Sequence, residues 1–448
     1  MHQEYPSYAQ LNYPRPVALN LVQKELLTPG KVALAYYLGK EQSFVLVITK
    51  DKIDLKPLKA NSEEISKELI SLRRALLWYE EKEDSCSVSV KPFRQIKKDI
   101  EQVSIISQKL YKQLILPVAS YLNEQKELVI IPNSSLWFLP FEVLADEKGT
   151  LLGRQYRIQY QNSFSVWALS YKFLEEKSDN PKVFVGLGDA IYEKDERYKD
   201  PRSDQLTKQA FLKVNEVDKE ESTLPPMLVQ AIAIRSNEVN NTLKGCSWDP
   251  LLASREEIEE IQSLNGFKGG SDTRLGFSAA EWNLKDLDQY RYVHFSVHGS
   301  MRMQVHDKRT QPALVLTQKN PPEANVDGIL TMEEVMNNLK LNADLVVLSA
   351  CETGVGEVLG GEGVMAMTRA FQYAGSSAVL TSLWKVHEDA TKLFMVRFYS
   401  YLEQGREPVE ALYLTKKDFQ EKRIEYPKRL IDLSHPFFWG AFVLVGGK

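Results

Sequence analysis

The feature that most constrains the fold is a short apolar segment that ends in a run of small residues. Residues 345–348 read Leu-Val-Val-Leu, and Ser349, Ala350 and Cys351 follow them directly. An unbroken apolar run of this length is typical of a strand buried on both faces of a parallel sheet. In open α/β sheets, ligands bind beyond the carboxyl ends of the strands. A thiol at this position is placed for chemistry, although a free cysteine is more often an inert core residue.

A second apolar segment supplies a histidine for this thiol. Residues 292–297 form another candidate strand, which runs into His298 and Gly299. A neighbouring imidazole can take the proton of a thiol and so generate the reactive thiolate. Two adjacent parallel strands would bring both groups together above the sheet. We therefore predict that Cys351 is a nucleophile and His298 its general base, with the backbone N–H of Gly299, together with that of Cys351, as oxyanion donors.

Strand-like and helix-like segments alternate along most of the chain. In the C-terminal half this alternation predicts a mostly parallel sheet with helices on both faces. The N-terminal part also reads as an α/β unit, but its predicted strands carry neither cysteine nor histidine at their ends, so we interpret it as structural. The strands predicted there are residues 32–38, 44–49 and 128–133, and the helices are residues 62–79 and 96–114.

A charged turn at residues 175–181 is a plausible boundary between two domains, residues 1–178 and 179–448. Within the second domain, residues at about 191–247 are polar and show little apolar periodicity. Structureless segments longer than about 15 residues are uncommon unless they are functional or disordered. We interpret this stretch as a regulatory or disordered insertion. It is either a solvated loop or a segment that controls access to the site, by covering it or by being cleaved.

The charge and the cysteines limit the partners and the compartment. The net charge is −4, so no global basic field points to nucleic acid or to an anionic membrane. The sequence begins without a signal-peptide pattern and has no apolar run long enough to span a bilayer, so we expect no membrane association. Cys86, Cys246 and Cys351 are odd in number and far apart, which favours a reducing compartment and makes the cytoplasm the expected location.

Two patterns that suggest a metal or a cofactor do not hold. His294 and His298 are four residues apart, but four residues of a strand span about 13 Å, too far for one zinc ion. His294 is therefore expected to be a hydrogen-bonded core residue or a residue behind the site. Residues 182–188 form a strand that ends in Gly-x-Gly, but Ile191 stands where a dinucleotide fingerprint has its third glycine. We predict neither metal nor cofactor.

A helix start is predicted at Ser254. The Ser-x-x-Glu spacing from Ser254 to Glu257 has the form of a capping box, in which each side chain bonds the backbone of the other residue.

Several motifs together resemble the CHAT family of caspase-like cysteine peptidases, a clan CD family related to separase. The spacing of 53 residues from His298 to Cys351 is similar to that of caspases, about 50 residues. The resemblance covers most of the chain, weakly in the N-terminal third and strongly from about Trp248 onward. The motifs are His298-Gly299, residues 349–354 (Ser-Ala-Cys-Glu-Thr-Gly), residues 361–363 (Gly-Glu-Gly), residues 382–384 (Ser-Leu-Trp) and residues 435–442 (His-Pro-Phe-Phe-Trp-Gly-Ala-Phe).

The resemblance implies a caspase-like, mostly parallel sheet flanked by helices, preceded by a non-catalytic, pseudo-caspase-like α/β half. It assigns the same dyad to Cys351 and His298. It also implies a pocket for a basic P1 side chain beside Trp384, where Glu388 matches the family's acidic position and His387 departs from the usual residue. Asp389 and Glu352 are further candidates for this pocket. Alternatively, Glu388 and Asp389 simply favour the N-terminus of the next helix, and Glu352 bonds to its own loop.

The resemblance also implies a function. Members of the family are cysteine endopeptidases without a cofactor, and they often act in bacterial defence or cell death. They are held inactive beside tetratricopeptide repeats, and gasdermin-like proteins are among their substrates. No such repeat is visible in this sequence, so a regulator would be a separate chain or a missing N-terminal part. The alternatives are a catalytically silent CHAT-fold interaction module and, third, another thiol hydrolase or acyltransferase.

Overall fold

The computed structural model describes most of the chain outside residues 198–247. The residues described are 16–81, 88–175, 181–192, 195, 197, 248–304, 310–318, 327–349, 362–422 and 432–447. Cys86, Cys246, Cys351 and Glu352 lie outside them, as does nearly all of the predicted insertion at about 191–247. What the sequence predicts for these residues stays a prediction.

The strands are short and mostly buried. In chain order they are β1 Lys31–Tyr37, β2 Ser43–Ile48, β3 Ile53–Leu58, β4 Tyr79–Glu81, β5 Val88–Val90, β6 Glu127–Ile131, β7 Arg157–Tyr160, β8 Lys182–Gly188, β9 Ser271–Leu275, β10 Tyr290–Ser296, β11 His298–Gln304, β12 Thr310–Val315, β13 Ile329–Thr331, β14 Leu345–Leu348, β15 Ala378–Ser382 and β16 Phe442–Gly446.

The helices separate most of these strands, as the sequence predicts. They are α1 Leu19–Leu21, which continues as a π-helical turn Val22–Leu26, α2 Ser62–Leu76, α3 Phe93–Leu114, α4 Leu152–Gln155, α5 Phe164–Glu175, α6 Ser254–Gln262, α7 Met332–Asn338, α8 Glu362–Tyr373, α9 Glu388–Glu403, α10 Pro408–Gln420 and α11 Pro436–Trp439.

One 11-stranded sheet runs through the described residues and includes both predicted halves, in the order β3-β2-β1-β6-β7-β16-β15-β14-β10-β8-β9. The predicted mostly parallel sheet is confirmed. Strands β1, β6, β7 and β16 are parallel neighbours, as are β15, β14, β10, β8 and β9. Antiparallel pairs occur at β1–β2, β2–β3 and β15–β16. The two halves meet where Tyr160 of β7 pairs with Val445 of β16.

Strands β10 and β14 lie side by side and are covered on both faces. Their register places Phe295 opposite Leu348. Tyr292 and Val347 belong to the larger core cluster, whereas Phe295 and Leu348 belong to a second cluster. All four residues of β14 are buried, as the unbroken apolar run predicts. The ends of these two strands are therefore fixed next to each other.

The chain beyond β10 departs from the prediction. The sequence suggests one strand that runs into His298, but β10 ends at Ser296. After a bend at Val297 the chain begins β11, which pairs with β12 in a separate small sheet, His298 opposite Val315. Strand β13 completes this small sheet. His298 is thus the first residue of a second sheet, at the point where the chain leaves the large one.

Candidate active site

The imidazole of His298 lies between two aromatic rings. The ring centroids of Tyr192 and Trp248 are each 5.0 Å from that of His298. His298 is 2% exposed. Tyr192 is the last residue before the undescribed part of the predicted insertion begins, and Trp248 is the first described residue after it. Both ends of that stretch therefore contact the predicted general base.

A backbone carbonyl orients the imidazole. The Nε2 atom of His298 lies 2.7 Å from the carbonyl oxygen of Asp249. Because a carbonyl oxygen can only accept a hydrogen bond, Nε2 carries the proton and donates it. In the neutral ring, Nδ1 is then the basic nitrogen. This tautomer suits a base that must take a proton from a thiol.

The backbone around His298 is held by Tyr192. The His298 N–H donates to the Tyr192 hydroxyl oxygen at 3.3 Å, and that hydroxyl donates to the carbonyl of Val315 at 3.2 Å. Gly299, the predicted oxyanion donor, lies in β11 opposite Leu314. Through the Tyr192 hydroxyl, these contacts connect the backbone of His298 to Val315 of β12 in the small sheet.

The strand that leads to the predicted nucleophile ends beside the strand that leads to His298. Ser349 follows β14 directly, and its N–H donates to the carbonyl of Phe295 at 2.9 Å. Cys351 is two residues further along the chain. The structure thus brings the two predicted strands together in the predicted parallel arrangement, whereas the distance from the thiol to the imidazole lies outside the described residues.

A buried carboxylate connects these two strands. Glu257, on α6, is 2% exposed, and its Oε1 lies 2.7 Å from both the Ser349 hydroxyl and the His294 Nε2. The His294 Nδ1 lies 3.2 Å from the Tyr399 hydroxyl. His294 was predicted to be a hydrogen-bonded core residue or a residue behind the site; the first alternative is confirmed, since His294 is 0% exposed and both ring nitrogens have hydrogen-bond partners.

The predicted capping box at Ser254 is wrong. The N-cap is Ala253, and Ser254 is the first residue of α6. The Ser254 hydroxyl accepts from the N–H of Asp189 and donates to the carbonyl of Leu251, both at 2.8 Å. The Glu257 side chain accepts hydrogen bonds from His294 and Ser349 and does not cap the helix. The Ser-x-x-Glu spacing indicated the helix start correctly, but tertiary partners use both side chains.

An ion cluster lies at the end of β8. Asp189, which has a left-handed φ of 51°, accepts hydrogen bonds from both Arg197 and Arg255. Asp195 also binds the Arg197 guanidinium, at 3.0 Å through Nε and 2.6 Å through Nη2. Asp189, Asp195 and Arg197 are buried, so these charges satisfy one another. The cluster fixes the chain on both sides of Tyr192.

Among the residues predicted for the specificity pocket, Trp384 lies on the loop after β15 and Glu388 and Asp389 lie on the first turn of α9, whereas Glu352 is outside the described residues. Trp384 is 1% exposed, and its indole N–H donates to the carbonyl of Phe437 at 2.9 Å. Glu388 and Asp389 occupy the first turn of α9, the arrangement expected if they favour the helix N-terminus. The Oε2 atom of Glu388 also accepts from the N–H of Ala253 at 3.3 Å.

The N-terminal half holds this loop. Arg73 of α2 donates from Nη1 to the carbonyl of Leu383 at 2.8 Å, and the Lys385 N–H donates to the Tyr79 hydroxyl at 3.1 Å. Sequence reasoning assigned no role to Arg73 or Tyr79. The available signal was that Arg73 falls on the apolar face of α2. A buried arginine needs a hydrogen-bond acceptor, so this position indicates a partner elsewhere in the fold.

The described residues place limits on metals and membrane spans. Among them, no three histidine, cysteine, aspartate or glutamate side chains are arranged so that they could hold a metal ion. None of the described helices combines the length and the apolar character needed to cross a bilayer.

A family profile described as "CHAT domain" matches residues 104–447. Two curated relatives share a matching region of 236 residues, the mouse and human proteins named "Tetratricopeptide repeat protein 28". The identity is 29% for the mouse protein and 37% for the human protein, over 44% of this chain in each case. The chain spans 9% and 8% of the length of these relatives.

Two of the solved structures that align with this chain are a separase–securin complex and a cysteine proteinase. A crystal structure of the Saccharomyces cerevisiae separase–securin complex aligns with a TM-score of 0.47 and 10% identity, over 96% of this chain and 30% of the matched chain. The Arg-specific cysteine proteinase gingipain R aligns with a TM-score of 0.38 and 8% identity, over 79% of this chain and 68% of the matched chain.

Proposed function

We propose that this chain, which belongs to the CHAT domain family, is a cysteine endopeptidase that uses Cys351 as nucleophile and His298 as general base. The observation that carries the proposal is the tautomer of His298. Its Nε2–H donates to the carbonyl of Asp249, so in the neutral ring Nδ1 is the basic nitrogen, the atom that would take a thiol proton. The neighbouring strand β14 leads to Cys351 two residues beyond Ser349.

The reaction begins with proton transfer from the Cys351 thiol to Nδ1 of His298. The thiolate then attacks the scissile carbonyl carbon, and the carbonyl electrons move onto its oxygen. The backbone N–H groups of Gly299 and Cys351 are proposed to stabilise this oxyanion. When the C–N bond breaks, His298 returns the proton to the leaving amine. Water then hydrolyses the thioester, which releases the carboxylic acid and restores the thiol.

We further propose that the substrate has a basic P1 side chain. Glu388 and Asp389, with Trp384 and the undescribed Glu352, would supply the carboxylates and the wall of the pocket. A carboxylate pairs well with a guanidinium or an ammonium group. A positional-scanning library tests this assignment: we expect arginine or lysine at P1, and a preference for an apolar or acidic P1 residue would refute it.

For the cellular role we propose an effector of bacterial defence or cell death in the cytoplasm, controlled by a partner. The family resemblance supports this role. The curated relatives are named as tetratricopeptide repeat proteins. A tetratricopeptide-repeat protein is accordingly the proposed regulator, and a gasdermin-like protein the proposed substrate. Sequencing the new N-termini in a proteome incubated with the protein would identify substrates; no new N-termini with an activated protein would contradict the role.

The rival function is a catalytically silent interaction module. The burial of His298 favours it, because an active imidazole must reach the leaving amine of a peptide. The two functions differ in the expected reactivity of the Cys351 thiol, because a peptidase requires an activated thiol and a silent module does not.

Labelling by a peptidyl electrophile separates them. We expect a covalent adduct on the parent protein, no adduct on Cys351→Ala, and slower labelling of His298→Ala. Cys86→Ala serves as the control and should be labelled like the parent. Equal labelling of Cys351→Ala and the parent would contradict the peptidase proposal.

A further inference from the structure

We propose that Glu257 is a positioning residue that sets the separation between Cys351 and His298, by fastening the ends of strands β10 and β14 to one carboxylate. This inference rests on the proposed function. It concerns residues behind the dyad that touch neither the scissile bond nor, by their described contacts, the His298 side chain.

The two strands need such a connection because their ends lead in different directions. Beyond Phe295 and Ser296 the chain bends into the small sheet, and beyond Leu348 it continues toward Cys351. The last backbone bond described between them is Ser349 N–H to Phe295 carbonyl, 2.9 Å. Glu257 adds a side-chain connection at the same level, since its Oε1 is 2.7 Å from an atom of each chain segment.

One arrangement of protons satisfies all these contacts with an ionised carboxylate. Burial first, and then Tyr292 and Glu257, raise the pKa of Tyr399 well above its ordinary value, so its hydroxyl keeps its proton. Tyr399 then donates to Nδ1 of His294, and Nε2–H of His294 donates to Glu257. The Ser349 hydroxyl donates to the same carboxylate oxygen. Hydrogen bonds to a charged acceptor are shorter and stronger than neutral ones, which suits a rigid connection.

The residues that precede Glu257 in the chain connect it to the imidazole and to the predicted specificity pocket as well. Trp248 and Asp249 contact the His298 imidazole, and Ala253 N–H donates to Glu388. Asp249 lies eight residues before Glu257, on the segment that leads into α6, so a shift of the carboxylate would change the position of the Cys351 strand against the imidazole. Misplacing a catalytic group by about 1 Å can cost on the order of 100-fold in rate.

The test uses Ser349→Ala, which removes the link to the Cys351 strand and keeps the Glu257–His294 bond. Ser376→Ala is the matched control. Ser376 is also a buried serine, and its hydroxyl donates at 2.7 Å to the carbonyl of Ala378. It precedes β15, at the amino ends of the parallel strands, whereas Ser349 follows β14 at their carboxyl ends. Both variants lose one buried hydroxyl, so both should lose similar thermal stability. Iodoacetamide alkylation of Cys351 is followed by mass spectrometry between pH 5 and pH 9, together with kcat and KM on a peptide.

We expect the inflection of the alkylation profile of Ser349→Ala to move upward by about one pH unit, toward the value of about 8.5 for a free thiol. We also expect kcat to fall about tenfold or more while KM stays within about twofold, because the dyad is displaced and the substrate contacts are not. Ser376→Ala should keep the parent's profile. Ser349→Thr, which keeps a hydroxyl donor, should stay near the parent, whereas Glu257→Gln, which keeps an oxygen acceptor but loses the charge, should shift part of the way toward Ser349→Ala.

Two results would overturn the inference without touching the proposed function. One is a Ser349→Ala profile that superimposes on that of the parent while His298→Ala differs from both. The other is Ser349→Thr shifting as far as Ser349→Ala, which would assign the effect to packing. If His298→Ala and the parent alkylate identically at every pH, no dyad exists, and the proposed function fails together with the inference.

Discussion

Glu281 illustrates how position alone changes the chemistry of one residue. It lies in a 3₁₀ turn, Glu281–Asn283, and its Oε2 accepts from the N–H of Gly328 at 2.7 Å. Burial is the main cause that raises the pKa of its carboxyl to about 7, and the nearby Glu334 and Asp327 raise it further. A Glu in a polar turn gave no hint of this environment, because its neighbours are distant in the sequence.

The raised pKa of Glu281 predicts a pH dependence of stability. Between about pH 4.5 and pH 7 the unfolded chain loses this proton and the folded chain keeps it, so the free energy of unfolding falls as pH rises. After allowance for solvent screening, the loss is on the order of 1–2 kcal/mol. Glu281→Gln keeps the acceptor and removes the titration. Its melting temperature should therefore exceed that of the parent at pH 8 and match it near pH 4.5; an equal difference at both would contradict the assignment.

The chemistry of His298 also depends on a residue that sequence reasoning could not single out. The strands that lead to His298 and to Cys351 were predicted correctly as neighbours, because a histidine and a cysteine after apolar runs give a recognisable signal. Asp249 acts through its backbone carbonyl, which every residue has. Only the folded structure shows that this carbonyl, among all those of the chain, contacts the imidazole.

At the scale of elements, the segment from Trp248 to Glu257 organises the site. It supplies a ring and a carbonyl to His298, an N–H to Glu388, a hydroxyl to Asp189 and a carboxylate to His294 and Ser349. Local spacing predicted the helix start but assigned Ser254 and Glu257 to each other. Apart from Leu251, which accepts from the Ser254 hydroxyl, their partners are from 37 to 92 residues away in the sequence, and no local pattern specifies contacts of that range.

The loop after β15 is an element held from the other half of the chain. In Tyr79→Phe the Lys385 N–H loses its acceptor, whereas the ring and its packing remain. A lost hydrogen bond to a half-buried group costs about 1 kcal/mol. Under the proposed function, we expect KM to rise about threefold to tenfold with kcat unchanged.

Tyr36→Phe is the control for this loop, because the Tyr36 hydroxyl donates to the carbonyl of Leu114 within the N-terminal half. It should leave KM unaltered on the same peptide. Equal KM values for Tyr79→Phe and Tyr36→Phe would show that the loop does not depend on Tyr79.

At the scale of the whole molecule, the two predicted halves share one sheet. The sequence predicted many of the strands and helices of both halves, their alternation, and the mostly parallel pairing of the C-terminal half. It did not predict that β7 and β16 would join them, nor did it identify β3, whose alternation of Ile-Asp-Leu-Lys lacks the continuous apolar character of the buried strands. Strand order is decided by packing between distant segments, which periodicity does not report.

A buried ion pair crosses from one half to the other. Lys416 of α10 binds Glu142, which also accepts a hydrogen bond from the Tyr160 hydroxyl at 2.7 Å. Both charged residues are nearly inaccessible, and burial lowers the pKa of Lys416. Such a pair contributes little net stability but is costly to break.

Lys416→Met should therefore lower the free energy of unfolding by about 3–5 kcal/mol, because it leaves a buried carboxylate without its counter-ion. Combining it with Glu142→Gln removes the unpaired charge and should recover about half of the loss or more. Differential scanning calorimetry of the three variants and the parent measures this. A double variant less stable than Lys416→Met would contradict the explanation.

The rings on either side of His298 also make the protein suitable for engineering. Each ring centroid is 5.0 Å from that of the same imidazole, so the two ring centroids are no more than about 10 Å apart, and the residues that carry them lie close together. Closely spaced termini are what a grafted module requires, and many small receptor domains have them. We expect that a reporter built by replacing residues 198–247 with such a receptor would couple ligand binding to the two rings that contact the histidine.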